Sequence, residues 1–254
     1  MSAEWLPGTV FTIMLFSLRV APVFAFAPPF NLVRAPVTFR LLLGLGVAAC
    51  IVGSDPSAVA AAPRLDAGAL FTASVTELML GAIFVLAFQL TFAALQVAGR
   101  TLDIQAGFGL ALLIDPATRA QVPLVGTIFV YAAGAVFFAI DGHFELLRIF
   151  AASLDSIPVG GHSYPTSLDP LLAFLATVFL TAFGVAGGTM LALFLTDLAI
   201  TMLSRTVPQM NVLVLGFQVK ILVLLITLPI TLGFAGAILL RMMRVTLEAL
   251  PRLV

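Results

Sequence analysis

Long apolar runs separated by short polar interruptions make up most of the chain, and their lengths predict its elements. Val10 to Phe30 is apolar but interrupted by Arg19, Pro22, Pro28 and Pro29. Two short helices or one broken helix follow, because proline removes a backbone donor and crowds the preceding turn. Asn31 to Phe39 is a turn marked by Arg34 and, just beyond it, Arg40. The next run, Leu41 to Gly53, falls short of the ~20 residues a bilayer crossing needs. Ser54 to Asp66 is a polar loop, and Ala67 to Ala98 is apolar again. As a helix that stretch would reach about 48 Å, against a hydrocarbon core of about 30 Å. Placing Glu77 at the membrane boundary leaves Leu78 to Ala98 as a full span, with Gln89 and Gln96 on one face, suited to bonding a neighbouring helix.

Beyond the centre of the chain, Val122 to Ile140 predicts a clean span that stops at the polar turn Asp141-Gly142-His143. Phe144 to Ile157 is amphipathic, with Leu147, Phe150 and Leu154 at helical spacing and Glu145 and Arg148 as an i,i+3 pair. Pro158 to Pro170 is loop. Leu171 to Ser204 is a long helix in which Gly184 and Gly188, four apart, permit close helix approach. The break at Thr206 to Asn211 follows from Pro208. Val212 to Leu240 is the last apolar helix, with a kink expected at Pro229, and Arg241 to Val254 is a short basic amphipathic tail. The final third is therefore a helical hairpin. Asp197 and Lys220 flank its turn at matched distances, so they either pair across it or serve a proton relay.

Between the two halves lies Gly99 to Pro123, which holds Arg100, Asp103, Asp115 and Arg119. Its middle, Gly107 to Ile114, is apolar yet too short to cross a bilayer. It opens with Gly107 and Gly109 around Phe108 and ends on the turn signal Asp115-Pro116. A short apolar segment between polar shoulders suits a re-entrant loop or plug, and such backbone persists at membrane depth only where protein buries it or it lines a cavity.

Composition narrows the function classes. The chain is 61% hydrophobic and 9% charged, whereas soluble domains carry about 25% charged residues; an all-α integral membrane protein follows. Zero formal net charge gives no electrostatic footprint for nucleic acid. The single cysteine, Cys50, excludes an internal disulfide, and His143 and His162 stand apart without metal-site spacing. No basic leader precedes the first apolar run, so a cleaved signal peptide is not expected. No Gly-Lys-Ser/Thr phosphate loop occurs, and Asp141-Gly142-His143 lacks a nucleophile, so neither an enzymatic activity nor a cofactor is expected. Lysine and arginine bias puts Arg34 and Arg40 on the cytoplasmic side, but simple alternation then sends the basic tail outward, against the same rule. A proton-coupled transporter stays open as an alternative, with Glu77, Asp197 and Lys220 as its ionisable candidates.

The string Gln96-Val-Ala-Gly99-Arg-Thr-Leu-Asp103-Ile-Gln105-Ala-Gly107-Phe-Gly109, followed by Asp115-Pro116, resembles the FliR family of flagellar type III secretion export-gate proteins. So do Ala21-Pro22-Val23-Phe24, Asp141-Gly142-His143 and Pro208-Gln209-Met210-Asn211-Val212 with Leu215-Gly216-Phe217 and Lys220, in this order along nearly the whole chain. Leu213, where the family usually has Phe, and Gln218, where a Pro commonly follows Gly-Phe, depart from it. The resemblance implies a non-enzymatic inner-membrane subunit of the flagellar basal body that assembles with FliP and FliQ, docks against FlhB and FlhA, and conducts unfolded flagellar proteins. It further implies a FliP-like portion at 1–170, with a plug loop at 99–123, joined to a FliQ-like hairpin at 171–254. Gly107, Phe108, Gly109, Leu110, Leu112, Leu113, Ile114, Asp115 and Pro116 would be the plug; Pro208, Gln209, Met210 and Asn211 would touch a partner. Gln96, Asp103, Gln105, Gly184, Gly188, Asp197 and Lys220 would be buried polar or packing positions. A virulence-type homologue of the same gate is the nearest alternative.

Overall fold

A computed structural model describes residues 5–32, 34–54, 67–108, 123–161, 169–206 and 211–253. Among these residues the regular structure is entirely helical. In chain order the elements are α1 (Trp5–Phe26), a 3-10 turn (Phe30–Leu32), α2 (Val37–Ser54), α3 (Ala67–Gln105), α4 (Leu124–Ala139), α5 (Gly142–Ser156), α6 (Asp169–Thr206) and α7 (Val212–Leu253). Five helices are long and apolar enough to cross a membrane, and a sixth candidate is the α4–α5 pair, bent by 69° at its break. Among the described residues the protein is an all-α, multi-pass membrane protein, a membrane protein as its composition indicated. It divides into two compact units: Met1–Leu90, Phe137–Leu175 and Arg244–Val254 form one, and Thr91–Val136 with Ala176–Met243 the other.

Several elements run further than the sequence pattern suggests, each for a local reason. α1 is a single helix through Arg19 and Pro22 rather than two pieces or a broken one. Pro22 cannot donate to the carbonyl of Leu18, four residues back. That carbonyl faces α3, where a Cβ on Gly81 would stand 2.8 Å from it, so the α3 backbone packs close against it. α2 starts at Val37, so Arg40 lies in its first turn, where its Nη1 donates to the carbonyl of Ala25 at 2.5 Å and ties α2 to the end of α1. Gly44 completes this hairpin, since a Cβ there would overlap Ala21.

α3 continues to Gln105, so the irregular central segment begins at Ala106 and not at Gly99. Glu77, expected at a membrane boundary, lies within α3 and is fully buried. α7 runs uninterrupted through Pro229 and through the stretch expected to form a separate tail, reaching Leu253. α5 is amphipathic as its pattern indicated, but its buried face is Leu146, Ile149, Phe150, Ser153 and Leu154. Leu147 is only half-buried, which rotates the inward face by about one position.

The core of the first unit is aromatic. Phe84 meets Phe150 edge-on at 5.2 Å and Phe88 meets Phe137 edge-on at 5.7 Å, the geometry aromatic quadrupoles favour. Asp141, at φ 56°, turns the chain from α4 into α5, and Gly142 is required there because a Cβ would strike the Phe137 ring.

Candidate functional site

The second unit contains the base of the central segment. α3 ends in a left-handed glycine cap: Gly107 sits at φ 91°, its N–H donates to Ile104 O at 3.0 Å, and Phe108 N–H reaches back to Asp103 O at 3.0 Å. This paired closure stops a helix cleanly and favours glycine at the turning residue. Asp103, buried on the last turn of α3, directs Oδ1 at the backbone N–H of Val125 in the first turn of α4, 3.1 Å away. One turn below, Gly99 and Gly126 bring the two helix backbones together so closely that a Cβ at Gly99 would overlap Gly126. The point where the chain leaves α3 and the point where it enters α4 are thus fastened to each other.

Of the positions expected to plug the conduit, Gly107 and Phe108 are described and form this cap. Gly109, Leu110, Leu112, Leu113, Ile114, Asp115 and Pro116 lie outside the described residues. Pro208, Gln209 and Met210 also lie outside them, whereas Asn211 is described at the entry to α7, where its Oδ1 accepts from Val214 N–H at 3.3 Å.

The expected packing positions separate into two groups. Asp103 is buried, and Gln105 is half-buried with its Oε1 enclosed and unbonded. Gln96 is exposed instead of buried, and what α3 contributes there is its backbone: a Cβ on Gly126 would come within 2.9 Å of Gln96 O. Gly184 and Gly188 are exposed as well; a Cβ at Gly184 would meet nothing and one at Gly188 would make an ordinary 3.4 Å contact with Thr231. The Gly-x-x-x-Gly pattern therefore makes no close crossing among the described residues. The close crossings use Gly99 with Gly126, and Gly81 and Gly44, which carry no such spacing. Asp197 and Lys220 do pair, with Oδ1 to Nζ at 2.5 Å across the α6–α7 hairpin. Further from the turn, Thr189 and Thr231 join the same two helices by a 2.8 Å hydroxyl contact.

The first unit holds a polar cluster that sequence reasoning left unassembled. Arg19 on α1 is fully buried and forms a two-pronged ion pair with Glu77 on α3, Nε to Oε2 at 2.7 Å and Nη2 to Oε1 at 2.9 Å. Its Nη1 donates to Ser153 O at 3.0 Å and to Ser153 Oγ at 2.9 Å, and Nη2 donates to Ile157 O at 3.1 Å. Gly160 N–H supplies a further donor to Glu77 Oε1 at 3.2 Å. Each of the five guanidinium hydrogens has an acceptor, and planar two-pronged geometry is where arginine outperforms lysine. The available signal was two opposite charges, each alone in an apolar run, where an unpaired charge costs several kcal/mol, or roughly 2.5–3.5 on insertion scales. Arg19 consequently faces protein and does not snorkel to an interface.

Comparison with known proteins covers most of the chain. The family described as bacterial export proteins, family 1, matches residues 10–245. The chain is 29% identical to the flagellar biosynthetic protein FliR of Bacillus subtilis, covering 94% of this chain and 93% of that protein. It is 27% identical to the FliR of Escherichia coli, over 81% and 78% of the two chains. It is also 29% identical to the surface presentation of antigens protein SpaR of Salmonella typhimurium, over 80% and 75%. With nearly its full length matched by one family model, the chain belongs to the bacterial export proteins, family 1.

Proposed function

We propose that this chain is a core subunit of a flagellar type III protein export gate in the bacterial inner membrane, and that its central segment closes the conduit. The observation that carries the reading is the fastened base at Asp103, Gly107 and Val125: the chain leaves α3 and enters α4 at one point, so the stretch between them can stop a pore without crossing the membrane. The apolar residues of 107–114 exclude water and ions from the conduit, and the glycines let the backbone move aside for an unfolded flagellar protein. FliP-like character belongs to 1–170 and FliQ-like character to 171–254; FliP and FliQ complete the ring, with FlhB and FlhA docked against it. The role is structural and gating rather than enzymatic.

Deleting Gly107 to Ile114 is expected to leave the gate assembled, read by co-purification with FliP and FliQ, while cells become permeable to small ions. Unchanged membrane conductance in the deletion strain, with assembly intact, would overturn the plug role. A second reading, a gate of a virulence system, is favoured by the similarity to SpaR; restored motility in cells lacking their own flagellar relative decides against it. The transporter reading is weakened because Glu77 already accepts three hydrogen bonds and Asp197 is paired with Lys220. Ion flux from the purified chain alone in liposomes would restore it.

A further inference from the structure

α4 opens without a capping side chain of its own. Thr127 N–H makes the first bond of the helix, to Pro123 O at 3.0 Å, which places Pro123 at the capping position. Serine, threonine, aspartate or asparagine is favoured there because a side-chain oxygen can accept one of the free N–H groups of the first turn. The proline ring has no such oxygen. The acceptor comes instead from another helix: Asp103 Oδ1 takes the Val125 N–H at 3.1 Å, from 22 positions earlier in the chain. A carboxylate at this end also meets the positive pole of the α4 dipole.

The same residue closes the other end. The carbonyl of Asp103 accepts Phe108 N–H in the glycine cap that terminates α3. One residue therefore holds both feet of the central segment, the exit by its backbone and the return by its side chain. Gly99 against Gly126 sets the helices close enough for this reach. Its Oδ2 is buried and carries no hydrogen bond, so an amide of the same shape keeps the Oδ1 acceptor but gives up the charge facing the helix pole and buries an unpartnered amide nitrogen.

We infer that Asp103 is the positioning residue of the gate, a cap lent by α3 to α4 that fixes where the central segment leaves and returns. This rests on the plug reading for its consequence, but the cap itself is measurable apart from it. The experiment uses the full chain assembled with FliP and FliQ, and compares Asp103→Leu, Asp103→Asn, Val125→Pro and the 107–114 deletion. Val125→Pro removes the donor in the first helical turn, where proline is tolerated, and leaves Asp103 untouched. Amide hydrogen exchange over residues 123–130 reads the cap, and ion leak of the membrane reads the gate.

Asp103→Leu and Val125→Pro should raise exchange there roughly fivefold, the scale of a lost helix cap, and should raise the leak. Asp103→Asn, which keeps the acceptor but loses the charge, should raise both by less than Asp103→Leu does. Should Asp103→Leu fail to assemble, the exchange and leak of Val125→Pro decide between the outcomes. Unchanged exchange in the donor or acceptor variant overturns the cap. Raised exchange in a tight membrane, while the deletion leaks, overturns the positioning role. A tight deletion strain instead removes the plug reading, and exchange alone then scores the cap.

Discussion

A guanidinium and a carboxylate enclosed among apolar helices stand or fall together. Arg19 and Glu77 are both fully buried, and their remaining donors and acceptors are satisfied by Ser153, Ile157 and Gly160. Replacing such a pair with apolar residues of similar size is often nearly neutral, whereas removing one partner costs about 3–5 kcal/mol because the other charge is left uncompensated. Glu77→Ala is therefore expected to abolish accumulation of the assembled subunit, and Arg19→Met with Glu77→Leu to recover much of it. Immunoblots of membrane fractions together with the thermal midpoint of the purified complex check this, and a double variant no better than the single one would contradict it. The pair was not legible in the sequence because 58 positions separate its members and no periodicity links them. Asp197 with Lys220 was legible, since a hairpin turn midway between two opposite charges brings them face to face.

Among elements, backbone proximity separates the glycines that matter from those that do not. Gly99 and Gly126 let α3 and α4 cross in contact, and no side chain fits between them. Gly126→Leu should consequently prevent accumulation of folded protein, since overpacking a tight contact costs about 1–3 kcal/mol or more. Gly184→Ala should leave folding of the chain unchanged, because its Cβ would enter open space. Limited proteolysis of the two variants in detergent separates them, and equal protease resistance would refute the distinction. Motif spacing pointed to Gly184 and Gly188, yet spacing reports only which residues share a face, not which face meets a neighbour. Element ends depended on similar contacts: α2's first turn is tied to α1 through Arg40.

For the molecule as a whole, the final two helices set the terms. At 38 and 42 residues they would extend about 57 and 63 Å, well beyond a hydrocarbon core of about 30 Å. Their surfaces carry large exposed apolar residues: Leu180 is 75% and Phe234 80% exposed in the single chain. What the bilayer cannot cover, other protein must, because exposed apolar patches of this extent mark interaction surfaces. Photoreactive residues placed singly at Pro208, Gln209, Met210 and Asn211 should yield adducts to another gate subunit, FlhB first among them, in assembled complexes. A scan that captures no partner at any of the four would count against that contact.

The sequence by itself determined that the protein is helical and membrane-bound, where most helices lie, and that the centre of the chain carries a short apolar segment between glycines and polar shoulders. Those conclusions rest on composition and local periodicity, which every stretch of chain carries within itself. Only the tertiary structure decided that Arg19 and Glu77 neutralise each other, which glycines lie at crossings, and that Asp103 caps a helix other than its own. These are contacts between residues distant in sequence, and a one-dimensional pattern supplies the donors and acceptors without saying which of them meet.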